Sequence, residues 1–264
     1  MKRNETSGEA SGNRGDETLE RPLRVLMVCP RYLPEVGGTE MHVHEVARRL
    51  SALGSFEITV LATDRSRRLP RREVVEGISV LRVPAWPRRR DYYLAPGISA
   101  VIRQRRWDLV HCQGIHTPVP LLAMISARLA GIPYLVTFHT GGHSSWLRNT
   151  MRPAQWRLEG PLLRNAVSLI AVSRFEAVTL ARHAHLGDKQ VIVIRNGGEL
   201  PSPPTGTVAV PGRIVSTGRL ERYKGHHRVI EALPHVMREI PEAHLLILGS
   251  GPYESNLYKL ALAS

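Results

Sequence analysis

"LRVLMVCPRYLPEVGGTEMHVHEVARRLSALGSFEITVLAT" (residues 23–63) passes from a continuous apolar run, through a loop with two adjacent glycines, into a helical pattern and out again to a second apolar run. Residues 23–29 have the unbroken β-rich character of a central parallel strand, apolar on both faces. After the loop, Met41, Val43, Val46, Ala47, Leu50 and Leu53 recur at helical spacing, and Thr39 is placed to act as the N-cap. "FEITVLAT" then supplies a second strand. This order predicts a parallel βαβ unit.

The alternation continues along the chain. "GISVLRVP" (77–84) reads as a strand reached through an arginine-rich loop. "WDLVHC" (107–112) and "PYLVTFH" (133–139) read as strands on either side of the helix "TPVPLLAMISARLAG". A helix containing "PAQWRLEGPLLRNA", the strand "VSLIAVS" (167–173), a helix over "FEAVTLARHA" and the strand "QVIVIRNG" complete the series. Such alternation predicts a doubly wound, Rossmann-like α/β domain over 23–195. "NGGELPSPPTGTVAVPG" (196–212) is rich in Pro and Gly without periodicity and reads as a linker. Beyond it, 213–264 restarts as strand, helix, strand, helix, the opening βαβα of a second Rossmann-like domain. Two parallel strands cannot cover both faces of a sheet, so this second domain reads as unfinished.

Composition narrows the function classes. A hydrophobic fraction of 42% over 264 residues suffices for a core, and no apolar run approaches the roughly 18 residues of a membrane span. Residues 1–22 are polar and charged and lack the apolar middle of a signal peptide, so they read as a disordered leader. The two cysteines, Cys29 and Cys112, each end an apolar run, which suits buried thiols in a reducing, cytoplasmic setting. The net charge is +13, and only four of the 36 cations are lysine, leaving 32 arginines. Arginines cluster at 65–72, 87–90 and 103–106. These clusters suit an anionic membrane surface, or equally a surface solvated by whatever cation an arginine-rich genome supplies. Aromatic interleaving is sparse and no nucleic-acid motif occurs, so nucleic acid is not an expected partner.

Three loops stand where ligands gather in open parallel sheets, at the carboxyl ends of strands. In the first, Gly37 and Gly38 put bare backbone amides beside a helix start, which suits close approach of a phosphate or sugar; a loop needing positive φ would use the same pair. In the second, "VTFHTGGH" (136–143), His139 ends a strand and is followed by Gly141 and Gly142, so it can reach a ligand hydroxyl or simply pack under its loop. His111, His116 and His143 lie nearby, but their spacing is not that of a zinc site, and His42 and His44 in "HVHE" point to nearly opposite helix faces. In the third, "STGRLERYKGHHRVIEAL" (216–233), Arg219 and Lys224 are flanked by Gly218 and Gly225 at a helix start. Two cations there can neutralise a diphosphate without a metal. A nicotinamide-binding turn is not found: the first loop lacks G-x-G-x-x-G, and "GSGPYE" (249–254) has no third glycine.

The Gly37–Gly38 loop, "TFHT" (137–140), "AVSRFEA" (171–177), "IRNGGEL" (194–200), "GRLERYKG" and "LLILGSGP" (245–252), taken in order, resemble the family 4 glycosyltransferases of GT-B fold. The resemblance runs from about residue 23 to the end. It implies a retaining, metal-independent transfer of sugar from a nucleoside-diphosphate sugar to an acceptor hydroxyl, without a cofactor. The donor would bind mainly to the C-terminal domain, and a glycan or lipid-linked acceptor to the N-terminal one. By the same resemblance Arg219 and Lys224 hold the diphosphate, His139 contacts the transferred sugar, Gly37 and Gly38 line the phosphate region with Gly218, and Gly249 and Gly251 shape the wall near the base. The location implied is cytoplasmic, with a peripheral place at the inner membrane face. The family pattern continues past "GSGP" into an acidic E-x7-E segment that this sequence does not reach, and Glu221, Glu231, Glu239 and Glu242 do not substitute for it. The expectation is therefore a truncated member, with a non-catalytic nucleotide- or sugar-binding or scaffold remnant of such an enzyme as the alternative.

Overall fold

Strands β1 (Leu23–Val28), β2 (Phe56–Asp64), β3 (Arg72–Val75), β4 (Ile78–Pro84), β5 (Leu109–Gln113), β6 (Tyr134–Phe138), β7 (Ser168–Ala171) and β8 (Val191–Val193) form one sheet in the order β3-β4-β2-β1-β5-β6-β7-β8. β9 (Arg213–Thr217) and β10 (His244–Leu248) pair separately, in parallel. Between them run helices α1 (Gly38–Ala52), α2 (Gly97–Ile102), α3 (Pro118–Ala130), α4 (Trp146–Asn165), α5 (Arg174–His183), α6 (His226–Glu239) and α7 (Glu254–Ala263). The structure, a computed structural model, describes residues 21–88, 93–104, 106–139, 146–197, 202, 204–206 and 208–263. The leader to residue 20 and parts of the 196–212 linker lie outside them.

Two units divide the chain: residues up to Gln113 with Thr117–Leu135, and Gly114–His116 with everything from Val136. In the first unit, β1 pairs in parallel with β2 on one side and β5 on the other, Val28 lying opposite both Leu61 and Cys112. The strand order therefore turns at β1, and the glycine loop leaves the sheet at that switch point, where doubly wound folds open a crevice. The apolar faces of β1, β2 and β4 pack on α1 through Val25, Met27, Val43, Ala47, Ile58, Val60, Ile78 and Val80, all buried. Cys29 and Cys112 are buried and unpaired.

Two elements were not legible. β3 runs antiparallel to β4 through the two-residue turn Glu76–Gly77, with φ of 48° and 84°, both left-handed as a type I′ turn requires. Its residues fall in the stretch expected as an arginine-rich loop, because an edge strand of four residues needs no apolar run. α2 is only six residues long, too short to show a period. The α1 start also differs from expectation: Gly37 is the N-cap, without a side-chain cap, so Thr39 falls inside the helix. Met41 and Leu53, expected on the buried face, are exposed.

In the second unit, α5 begins with a reciprocal cap that resembles a capping box, its carboxylate reaching one residue further back. Ser173 Oγ accepts from Glu176 N at 3.2 Å, while the Glu176 carboxylate accepts from Val172 N at 2.7 Å. The "AVSRFEA" motif is thus a helix start. β9 and β10 bury one face against α6 and α7 through Leu245, Ile247, Leu220, Ile230 and Leu257. Their other face leaves Val215, Leu246 and Leu248 exposed at 50%, 40% and 49%, as a two-stranded sheet must.

Candidate functional site

The glycine loop belongs to the first unit. Gly37 is extended (φ −162°), and Gly38 is not among the residues with positive φ, so backbone strain does not require either glycine. A Cβ on Gly37 would meet the Glu40 carboxylate at 2.3 Å, while one on Gly38 would face open space. Gly38 thus leaves room at the N-terminal end of a 15-residue helix, where amides and the helix dipole favour an anion. Glu40, buried in the first turn, holds Arg31 Nε at 3.2 Å. Beneath the helix, His44 is a satisfied core histidine: Tyr32 Oη lies 2.8 Å from its Nδ1 and Glu76 3.1 Å from its Nε2. His111 is buried too, and burial pushes its pKa down to about 3, so it stays neutral. Among the described residues no group of three or more His, Cys, Asp or Glu is arranged to hold a metal. Gly141, Gly142 and His143 lie outside them.

In the second unit, His139 is half-buried at the end of β6, and its carbonyl accepts from His116 Nε2. Residues 114–116 are fixed from α4: Gln155 Nε2 donates to Ile115 O at 2.8 Å and to Glu159 Oε1 at 2.9 Å. Glu159 is 3% exposed, and its other oxygen has no partner. Burial pushes its pKa up to about 7, against the smaller opposing effect of the Gln155 hydrogen bond. Spacing gave no sign of this support, because Gln155 and Glu159 look like ordinary surface residues of a helix.

The cationic loop joins β9 to α6. Its 3-10 turn (Arg222–Lys224) ends at Gly225, φ 82°, which is also the N-cap of α6 and leaves the first-turn amides without a side-chain cap. Arg219 is largely exposed, with Nη2 3.3 Å from Glu221 Oε1, and Lys224 Nζ lies 5.1 Å from the Tyr223 ring centre. The loop is held by a residue the sequence reading missed. His226, 2% exposed, binds Ser216 Oγ through Nδ1 at 2.8 Å and the Arg219 carbonyl through Nε2 at 3.3 Å. Against the same segment lies the β10–α7 loop. Leu220 N donates to Ser250 O, and Tyr253 N to Leu220 O, both at 2.9 Å. A Cβ on Gly249 would stand 1.9 Å from Gly218 O, and one on Gly251 2.5 Å from Leu220 O. Gly218, Arg219, Gly249 and Gly251 are therefore brought together, backbone against backbone. The two glycines of "GSGP" have a packing reason in addition to any ligand.

Residues 36–200 match the sequence profile of Glycosyltransferase Family 4, and residues 208–264 that of Glycosyl transferases group 1. The chain belongs to glycosyltransferase family 4. Among its family relatives, glycogen synthase of Mycobacterium tuberculosis is 31% identical over 263 residues, covering 87% of this chain and 62% of that protein. The GDP-mannose:cellobiosyl-diphosphopolyprenol alpha-mannosyltransferase of Komagataeibacter xylinus is 32% identical over 200 residues, covering 71% of this chain and 46% of that one. The family-4 chain thus spans less than two thirds of the length of these relatives. Among solved structures, Anabaena HepE in complex with UDP-glucose superimposes with a TM-score of 0.66 at 19% identity, covering 91% of this chain and 66% of HepE. That likeness gives the fold, the GT-B fold of glycosyltransferases.

Proposed function

We propose that this family-4 chain moves a sugar from a nucleoside-diphosphate sugar to an acceptor hydroxyl, with retention and without a metal. The observation that carries the reading is the β9–α6 loop, where Arg219 and Lys224 stand at the uncapped N-terminus of α6 on a backbone clamped by His226 and the 249–251 loop. Preorganised cations and amides of this kind stabilise the charge that grows on a departing diphosphate. As the bond from the anomeric carbon to the diphosphate breaks, the acceptor oxygen bonds to the same face. The leaving oxygen takes the acceptor's proton, so no protein base is required. Arg219 and Lys224 hold the diphosphate, His139 positions the transferred sugar, and Gly37, Gly38 and Gly218 line the phosphate region, Gly38 with open space where a Cβ would stand. Gly249 and Gly251 shape the wall near the base.

Support for a nucleotide-sugar donor comes from the family and from the UDP-glucose complex of HepE. The acceptor is a glycan or a lipid-linked sugar, met from the cytoplasmic side at an anionic membrane surface. Among the described residues no helix is long and apolar enough to cross a membrane. In this reading the first domain, 23–195, receives the acceptor and 213–264 the donor. The test is transfer from UDP- and GDP-sugars by the chain and by Lys224→Ala. Loss of one electrostatic contact should cost about 10²–10³ in rate, and near-parental turnover in the variant overturns the mechanism. Calorimetric titration with the same donors separates an enzyme from a scaffold, which should bind none.

A further inference from the structure

The first unit carries a cavity of about 350 Å³ lined by Arg65, Arg68, Arg88, Glu35 and Ser66. We infer that it is a phosphate-binding subsite, the place where this chain holds a phosphate-bearing acceptor. This rests on the reading above that the N-terminal domain receives the acceptor, and it names the acceptor's chemical class.

The lining is built. The buried Asp64 at the end of β2 accepts from Ser66 N at 2.8 Å, Ser66 Oγ at 2.7 Å and Leu69 N at 3.0 Å. One carboxylate thereby fixes the turn that presents Arg65 and Arg68. Arg65 is held twice more, 5.5 Å over the ring of the buried Tyr93 and 3.5 Å from Glu35. Tyr93 is itself anchored by donating to Pro30 O at 3.0 Å. Glu35 is already committed, lying 3.8 Å from Arg31 as well. Arg68 and Arg88 have no acidic partner among the described residues, and both are exposed at the cavity rim.

The lining thus holds three guanidinium groups and one carboxylate, which only Arg65 approaches, a surplus of two positive charges among the described lining side chains. A phosphate ester carries about −1.5 to −2 at neutral pH with three acceptor oxygens. It matches both that surplus and the two guanidinium forks without an acidic partner among the described residues, a group that binds phosphate in bidentate fashion. A carboxylate supplies half the charge. The volume lies within the range of ligand pockets, about 300–1,000 Å³. Glu35 belongs to the same connection as Gly37 and Gly38, so a phosphate held here places the rest of its molecule beside the glycine loop. The ester can be a soluble sugar phosphate or a lipid headgroup, and the experiment distinguishes them.

Inorganic phosphate is titrated calorimetrically into the full chain at about 0.15 M salt, then into R68Q/R88Q and into R72Q/R106Q. Arg72 and Arg106 line a different cavity, near the N-terminal ends of β1 and β2. Charge-assisted contacts predict at least a tenfold loss of phosphate affinity in R68Q/R88Q, with R72Q/R106Q and the affinity for UDP unchanged. Glycerol 3-phosphate and vesicles of phosphatidylglycerol in phosphatidylcholine form the second arm. Competition by the soluble ester alone assigns a free phosphate acceptor, while vesicle binding lost in R68Q/R88Q assigns a lipid headgroup. The inference is overturned if the chain binds no phosphate, if R68Q/R88Q binds it as the parent does, or if R72Q/R106Q loses as much. Loss of UDP binding alone would count against the donor reading and leave this one standing.

Discussion

Replacing Glu159 by Gln should flatten the pH dependence of folding stability. The carboxyl group is buried in α4, and only one of its oxygens has a partner, the Gln155 amide. Burial moves its pKa from 4.5 to about 7, so between these values the folded chain holds a proton that the unfolded chain has released. A state that binds more protons is favoured at low pH. Stability from this group is therefore fully present below about pH 4.5 and lost as pH rises through about 7. At about 1.4 kcal/mol per pH unit, the loss between about pH 5 and about pH 8 is roughly 2–3 kcal/mol. Any packing cost of the amide is the same at both pH values, so it cancels in the difference of differences. Denaturant unfolding of the parent and Glu159→Gln at the two pH values supplies that quantity directly. Parallel pH profiles, differing by less than about 0.5 kcal/mol, would refute a neutral buried carboxyl. The change also reaches the site, because Gln155 ties Glu159 to Ile115 O, one residue from the His116 that holds the His139 carbonyl.

Gly249→Ala puts a Cβ 1.9 Å from Gly218 O at a residue with φ 158°; a loss of about 2–4 kcal/mol is expected, read by thermal unfolding. Gly38→Ala meets nothing within 4 Å, so stability should stay within about 0.5 kcal/mol while sugar transfer falls. Unchanged transfer would make Gly38 merely permissive. Ser173→Ala removes the cap that accepts from Glu176 N and should cost about 1 kcal/mol, measured by denaturant unfolding.

Local pattern was enough to place most elements. The run 23–29 is apolar at every position but one, and its shortness and β-rich make-up point to a strand covered on both faces; β1 ends within one residue of it. The helix over 117–131 has Thr117 as cap, Pro118 in its first turn and Gly131 in the left-handed conformation at its end. Each of those signals acts over a few residues, which is why it can be read without a structure. The same locality placed Arg219, Lys224 and Gly218 on one strand-to-helix connection.

Tertiary structure decided what lies far apart in sequence. Gly249 and Gly251 looked like a ligand loop, yet their missing Cβ atoms are what let that loop close on Gly218 and Leu220, some thirty residues earlier. His226 and His227 are the same residue type side by side, and only packing buried His226 against Ser216 and the Arg219 carbonyl while leaving its neighbour half-buried. Arg65 and Arg68 were one more arginine cluster until Asp64 gathered the turn and Tyr93, distant along the chain, set a ring beneath Arg65. Periodicity and caps are properties of neighbours along the chain and survive in the sequence alone. Burial, pKa and the pairing of charges depend on which surfaces meet, and that is fixed only when the sheet is assembled.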